Sequence, residues 1–154
     1  MIAGASGAGK STLAARTAER HGNEAGRAAD DVVHVRAMDG GVVVDPCYPQ
    51  LKLSAELQRC FPPEPLLRVL VLEAKPSSAR LCAARLRPAA ALAAMIHHSI
   101  AARLFPPPLL QAHFAACRSI ARQVPVVRVA YPHTANALQA LAMHLASDTT
   151  PQPP

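Results

Sequence analysis

Aromatic side chains are scarce in this 154-residue chain, which has no tryptophan, two tyrosines and three phenylalanines. Because 51% of the residues are nevertheless hydrophobic, the core must consist mainly of alanine, leucine and valine. The length suffices for one domain with a core of ordinary size and is too short for two. The chain also lacks the regularly placed aromatics on which proteins that bind single-stranded nucleic acid stack the bases.

Long basic runs are absent as well. The net charge of +6 arises mainly from thirteen arginines scattered along the chain, with no run of five or more basic residues. A nucleic-acid-binding arm would need such a run. We therefore expect no nucleic-acid partner, and the charge favours only phosphorylated or acidic partners in general.

The sequence contains neither a C-x-x-C pair nor a long uninterrupted apolar segment. Its four cysteines (Cys47, Cys60, Cys82 and Cys117) are widely spaced, which favours buried thiols over a zinc site. Arg, His or Pro interrupts each apolar stretch before it reaches the length of a membrane span. The first residues run directly into a glycine-rich segment, so we expect no signal peptide. We expect a cytoplasmic protein without a membrane partner.

Glycine is concentrated near the start, where residues 4–11 read GASGAGKS. The segment fits G-x-x-x-x-G-K-[ST], the phosphate-binding loop or Walker A motif, whose backbone N–H groups converge on a phosphate. Lys10, which we expect to face solvent without a ligand, would contact the β- and γ-phosphates of ATP, and the Ser11 hydroxyl would bind Mg²⁺. The predicted cofactor-binding residues are Gly4, Ala5, Ser6, Gly7, Ala8, Gly9, Lys10, Ser11 and Thr12.

Hydrophobic periodicity and turn signals predict one α/β domain over residues 1–146, followed by a disordered tail over 147–154. A hairpin turn is expected at the sequence MDGG, residues 38–41. Helices are predicted over 10–21, 88–104, 109–123 and 134–146, and strands over 32–36, 42–45, 66–73 and 124–132.

Two of the ten acidic residues, Asp30 and Asp31, are adjacent at the start of a predicted strand. Neighbouring strand residues point to opposite sides, so one carboxylate could contact Mg²⁺ while the other faces an incoming hydroxyl. Phosphoryl transfer requires both of these functions. A turn or cap at the start of the strand is the alternative interpretation of the pair.

The segments GASGAGKST, AADDVV and DPCYPQLKL, together with HHSIAARL and AHFAACRSIARQVPVVRVAYP, resemble the HPr kinase/phosphorylase-related serine kinases. The resemblance implies a mixed β-sheet with flanking helices, similar to phosphoenolpyruvate carboxykinase, that uses ATP and Mg²⁺. It also implies phosphorylation of a serine hydroxyl on a small protein or precursor peptide. By this resemblance Lys10, Asp30 and Asp31 would be the catalytic residues, and Ser11 and Asp31 would bind the metal. The division of roles between the two aspartates is open.

Two features leave alternatives open. The segment LKLSAELQRCF replaces the glycine-rich signature of true HPr kinases, which speaks against HPr as the substrate. A small-molecule P-loop kinase, or a truncated module that binds nucleotide or a partner without catalysis, remains an alternative, and so does a homo-oligomer. Only Met1, Ile2 and Ala3 precede the loop, so we expect the sheet to lack the strand before it and the chain alone to be marginally stable.

The acidic pair provides a first test. We expect Asp30→Asn and Asp31→Asn each to lower kinase turnover by about a hundredfold or more, because each removes a base or a metal ligand. ATP affinity should change much less. Steady-state kinetics with a serine-containing substrate would measure the effect. Full activity of both variants would show that the two aspartates only form a turn.

Overall fold

Two β-sheets and four helices make up the described part of the chain. The computed structural model describes residues 1–21, 32–45, 63–76, 80–100 and 104–147. The strands are β1 (Ile2–Gly4), β2 (His34–Met38), β3 (Gly41–Asp45), β4 (Glu64–Pro65), β5 (Val69–Ala74), β6 (Cys82–Arg85) and β7 (Val126–Tyr131). The helices are α1 (Lys10–His21), α2 (Pro88–His97), α3 (Pro107–Gln123) and α4 (Ala135–Ser147).

The larger sheet has the strand order β1-β5-β7-β6. Strands β1, β5 and β7 are parallel, with Ile2 opposite Leu70 and Val69 opposite Val126, whereas β6 is antiparallel to β7. The continuous apolar sequence of β5 matches its central place, because a parallel strand covered on both faces has no side for polar residues. The expectation of an α/β fold with a mixed sheet and flanking helices is therefore confirmed.

Helices cover both faces of this sheet. Side chains alternate along β5, so that Leu70 and Leu72 belong to a core with residues of α1 and α4. Val69 and Val71 belong to a second core with residues of α2 and α3. Each face of β5 thus fixes one pair of helices.

The smaller sheet is the predicted hairpin, extended by β4. Strand β2 pairs with β3 in the register His34 opposite Asp45. Arg36 donates two hydrogen bonds to the Asp45 carboxylate, one of them 2.8 Å long, and His34 Nδ1 lies 3.0 Å from it. The hydrogen bond from Arg36 holds the pKa of Asp45 below its usual value. This ion pair bridges the two strands of the hairpin, and β2 starts two residues later than the strand predicted at 32.

Two expectations about the secondary structure are wrong, and one strand was not predicted. Strand β1 exists, because Ile2–Gly4 pairs with β5 and the Leu70 N–H donates to Met1 O over 2.8 Å. Helix α2 ends at His97 instead of residue 104. Just beyond this end, the Ser99 hydroxyl donates a hydrogen bond of 2.8 Å to Met95 O, which competes with the hydrogen bonds of the helix backbone. Strand β6 has the sequence CAAR, whose residue types give little strand signal.

The cysteines and the chain end complete the comparison. Cys117 is buried, as expected, whereas Cys82 is exposed on β6, an edge strand of the described sheet. Cys47 and Cys60 lie outside the described residues, and so does the segment 148–154. Helix α4 continues to Ser147, one residue into the predicted tail.

Candidate phosphate-binding site

The glycine-rich loop connects the end of β1 to the start of α1. Strands β1, β5 and β7 are parallel, so their carboxyl ends meet at one edge of the sheet, and the loop lies there. Ligands of open α/β sheets bind outside the carboxyl ends of the strands. The location is therefore the one that a nucleotide site requires.

The loop backbone turns through two glycines, Gly7 at φ +77° and Gly9 at φ +74°. Residues with a side chain rarely adopt this conformation. The Ala8 N–H bonds Ala5 O over 3.2 Å, and the Leu13 N–H bonds Gly9 O over 2.8 Å to begin the helix. The first N–H groups of a helix have no acceptor within it and carry the positive end of its dipole, so this helix start favours an anion.

Close packing holds the loop from behind. A Cβ at Gly4 would lie 2.8 Å from Leu72 O, and a Cβ at Gly9 would lie 2.9 Å from both Tyr131 Oη and Leu138 Cδ1. A Cβ at Gly7 would meet nothing within 4 Å. Gly4 and Gly9 thus face the protein, whereas Gly7 faces open space where a ligand can approach.

Lys10 bends back over the loop. Its Nζ donates to Gly4 O and to Ala5 O, each over 3.0 Å, and the residue is half-buried. The expectation that this side chain faces solvent is wrong, because the loop carbonyls supply acceptors within its reach. An ammonium group has three protons to donate, so one remains beyond these two hydrogen bonds.

Tyr131, at the carboxyl end of β7, supports the loop. The side chain is fully buried, and its hydroxyl donates to Ala8 O over 2.8 Å. Burial raises the pKa of this hydroxyl, which keeps it protonated as a donor. A second hydrogen bond joins α1 to α4 on the same face of the sheet, since Arg16 donates to Ala135 O over 2.6 Å.

The structure brings together the predicted residues from Gly4 to Thr12, with Ser11 and Thr12 exposed on the first turn of α1. Asp30 and Asp31 lie outside the described residues, and their placement near the loop stays a prediction. In the described ranges, no group of three or more His, Cys, Asp or Glu side chains is arranged to hold a metal ion.

Sequence analysis missed Glu73 near this site. Glu73 lies one residue beyond Leu72, the partner of Gly4, at the carboxyl end of the strand beside β1. By alternation it shares the face of Val69 and Val71. The signal was present in VLVLE, an apolar strand ending in an acid. Its carboxylate lies 3.3 Å from Lys75 Nζ.

His98, just beyond α2, interacts electrostatically with both this carboxylate and the loop lysine. Its pKa is lowered mainly by burial and further by the positive charges of His97 and Lys10, while the charge of Glu73 opposes them. Lys10 and Glu73 therefore both lie within electrostatic range of one imidazole. Nothing in the local sequence around His98 indicated this proximity, because it results from the packing of α2 on the sheet.

Comparison with known proteins adds no relative. No protein-family model matches the chain, and neither a curated protein nor a solved structure does. The assignment of the site rests on the chain's own residues. Within the described ranges, no helix combines the length and the apolar character that crossing a membrane requires.

The glycine packing yields a matched pair of substitutions. We expect Gly7→Ala to lower the free energy of unfolding by about 1 kcal/mol, the strain of a side chain at positive φ. Gly9→Ala should lower it by about 1–3 kcal/mol more, because its Cβ would also collide with Tyr131 and Leu138. Denaturant unfolding of both variants would measure the difference, and equal losses would contradict the packing described.

Proposed function

We propose that the chain is an ATP-dependent serine kinase related to the HPr kinases, in a phosphoenolpyruvate carboxykinase-like P-loop domain. Its substrate would be a serine hydroxyl on a small protein or a precursor peptide. The observation that carries the proposal is the loop itself, in which Gly7 and Gly9 adopt positive φ and Lys10 Nζ lies 3.0 Å from two loop carbonyls.

The residues of the loop fit a polyphosphate. Gly7 adjoins open space, the first turn of α1 offers N–H donors, and the Lys10 ammonium supplies a positive charge. No described acidic residue belongs to the loop or to the first turn of α1, where a carboxylate would repel phosphate. Binding would require Lys10 to turn its ammonium toward the phosphates.

The side-chain oxygens of Ser11 on α1 and of Glu73 on β5 are of the kind that Mg²⁺ prefers as ligands. The Ser11 hydroxyl, the Glu73 carboxylate and the predicted carboxylate of Asp31 would hold it. Mg²⁺, when bound, neutralises charge on the β- and γ-phosphate oxygens. Glu73 is the member of this set added by the fold, since β5 ends beside β1.

Transfer would join the serine Oγ to the γ-phosphorus as the bond from that phosphorus to the β–γ bridging oxygen breaks, with ADP as the leaving group. Asp30 or Asp31 would accept the proton of the serine hydroxyl. Lys10 would stabilise the negative charge on the transferred group. Phosphoryl transfer needs a base for the hydroxyl and a positive charge near the transferred group, and these residues would supply both.

Lys10 gives the direct test of nucleotide binding. We expect Lys10→Ala to weaken binding of ATP with Mg²⁺ by about 10- to 100-fold, the worth of a hydrogen bond to a charged group, and to abolish transfer. Titration calorimetry measures the affinity, and thermal unfolding checks that the variant is folded. The matched control is Arg20→Ala, which removes one exposed positive charge about 15 Å further along α1. Equal ATP affinity in wild type and Lys10→Ala would overturn the proposal.

Glu73 gives a separate test of the metal. We expect Glu73→Gln to lower Mg²⁺-dependent turnover by about a hundredfold while ATP binding without Mg²⁺ stays close to wild type. Glu64→Gln, an exposed carboxylate on β4, serves as the control and should be neutral. Unchanged turnover of Glu73→Gln would remove Glu73 from the metal site. ATP binding without any transfer to serine-containing peptides would instead favour a non-catalytic nucleotide-binding module.

A further inference from the structure

The segment between β7 and α4 lies beside the phosphate loop. Strand β7 ends at Tyr131, at the same edge of the sheet as the loop, and α4 begins at Ala135. Tyr131 Oη donates to Ala8 O over 2.8 Å. Leu138, in the first turn of α4, packs against Gly9. The residues that connect β7 to α4 therefore adjoin the half of the loop that contains Ala8 and Gly9.

A tight turn fixes the backbone of His133 within this connection. The Thr134 N–H bonds Pro132 O over 2.6 Å, which makes His133 the central residue of a three-residue turn. The Thr134 hydroxyl in turn accepts from the Ala137 N–H over 3.2 Å, as the capping residue of a helix does. The end of β7 and the cap of α4 thus hold His133 from both sides.

The imidazole of His133 is an exposed ring. It meets the Tyr131 ring in a T-shaped contact, with the ring centroids 6.3 Å apart. Among the described residues it has no hydrogen-bond or ion-pair partner. Tyr131 itself is fully buried, so its own ring is not available to a ligand. His133 therefore places an accessible flat ring beside the tyrosine that supports the loop.

The loop has a direction that a bound nucleotide would follow. Lys10, the residue that contacts the β- and γ-phosphates in this motif, donates to Gly4 O and Ala5 O. The terminal phosphates would therefore lie toward the side of the loop that contains Gly4 and Ala5. The nucleoside, at the other end of the polyphosphate, would extend toward the opposite side, where Ala8 and Gly9 meet β7 and α4.

His98 is a poor alternative as a contact for the base. It follows α2, which packs on the opposite face of the sheet from α1 and α4. His98 lies within electrostatic range of Lys10 and Glu73, which places it toward the terminal phosphates. His133, in contrast, directly precedes α4, the helix that packs beside α1.

We propose that His133 stacks on the base of a bound nucleotide. This inference rests on the proposed function, because it assigns the base subsite for the ATP that the loop would hold. Histidine is one of the side chains on which bases stack, and stacking is favourable for every base because each has a π-face. The contact would therefore favour nucleotides over inorganic polyphosphates without selecting adenine.

The experiment compares ATP with inorganic tripolyphosphate, which carries the phosphates without the base. Titration calorimetry measures both affinities in the presence of Mg²⁺, and thermal unfolding checks that each variant is folded. We expect His133→Ala to weaken ATP binding by about tenfold, the effect of one lost stacking contact, and to leave the affinity for tripolyphosphate unchanged. His133→Phe keeps a flat ring and should bind ATP like wild type. Phe114→Ala, which removes an exposed ring from α3, is the control and should change neither affinity.

Other outcomes would overturn the inference in distinguishable ways. Equal ATP affinity of wild type and His133→Ala would remove the base subsite and leave the phosphate loop intact. Equal weakening of both probes by His133→Ala would show that His133 supports the loop or contacts a phosphate instead. Failure of the wild type to bind either probe would refute the proposed function together with this inference. Lys10→Ala, in contrast to His133→Ala, should weaken the binding of both probes.

Discussion

The hydrogen bond from the buried Tyr131 hydroxyl to Ala8 O connects the glycine-rich loop to the core. A buried carbonyl without a partner is unfavourable by about 1–3 kcal/mol, so this contact fixes where the loop can lie. Tyr131 Oη also occupies the space beside Gly9, which excludes any side chain there. This contact between β7 and the loop, together with the packing of α1 on α4 and the sheet, sets the orientation of α1 and with it the donors of its first turn.

The elements predicted correctly are those whose signal is local. Helix α1 has the predicted bounds, because a glycine-rich loop defines its start, and the apolar run of β5 gave a buried strand. The hairpin was found through its turn, whereas the diagonal hydrogen bonds from Arg36 to Asp45 across β2 and β3 could not be read from the sequence. Strand β6 was missed because its pairing with β7, and not its composition, makes it a strand.

The residues of the candidate site also divide into those that a local sequence signal reveals and those that only the fold brings together. Gly4 to Thr12 could be found from a contiguous motif, since each residue acts through its own backbone or side chain within a few positions. Glu73 and His98 could not, because Glu73 lies at this edge only when β5 pairs with β1, and His98 comes within electrostatic range of Lys10 and Glu73 only through the packing of α2. A strand ending in an acid indicates a functional residue only after the neighbouring strand is known.

The position of Lys10 bears on how the site could select its ligand. Its ammonium already has two carbonyl acceptors, Gly4 O and Ala5 O, so a ligand must offer more than a single weak acceptor to draw it away. Hydrogen bonds between charged partners are about twice as strong as neutral ones, and a polyphosphate supplies several oxygens at once. A neutral ligand would leave the lysine on the loop carbonyls. Under the proposed function, the two hydrogen bonds that hold Lys10 on the loop would favour highly charged ligands over neutral ligands of the same size, through a difference in hydrogen bonding and not in shape.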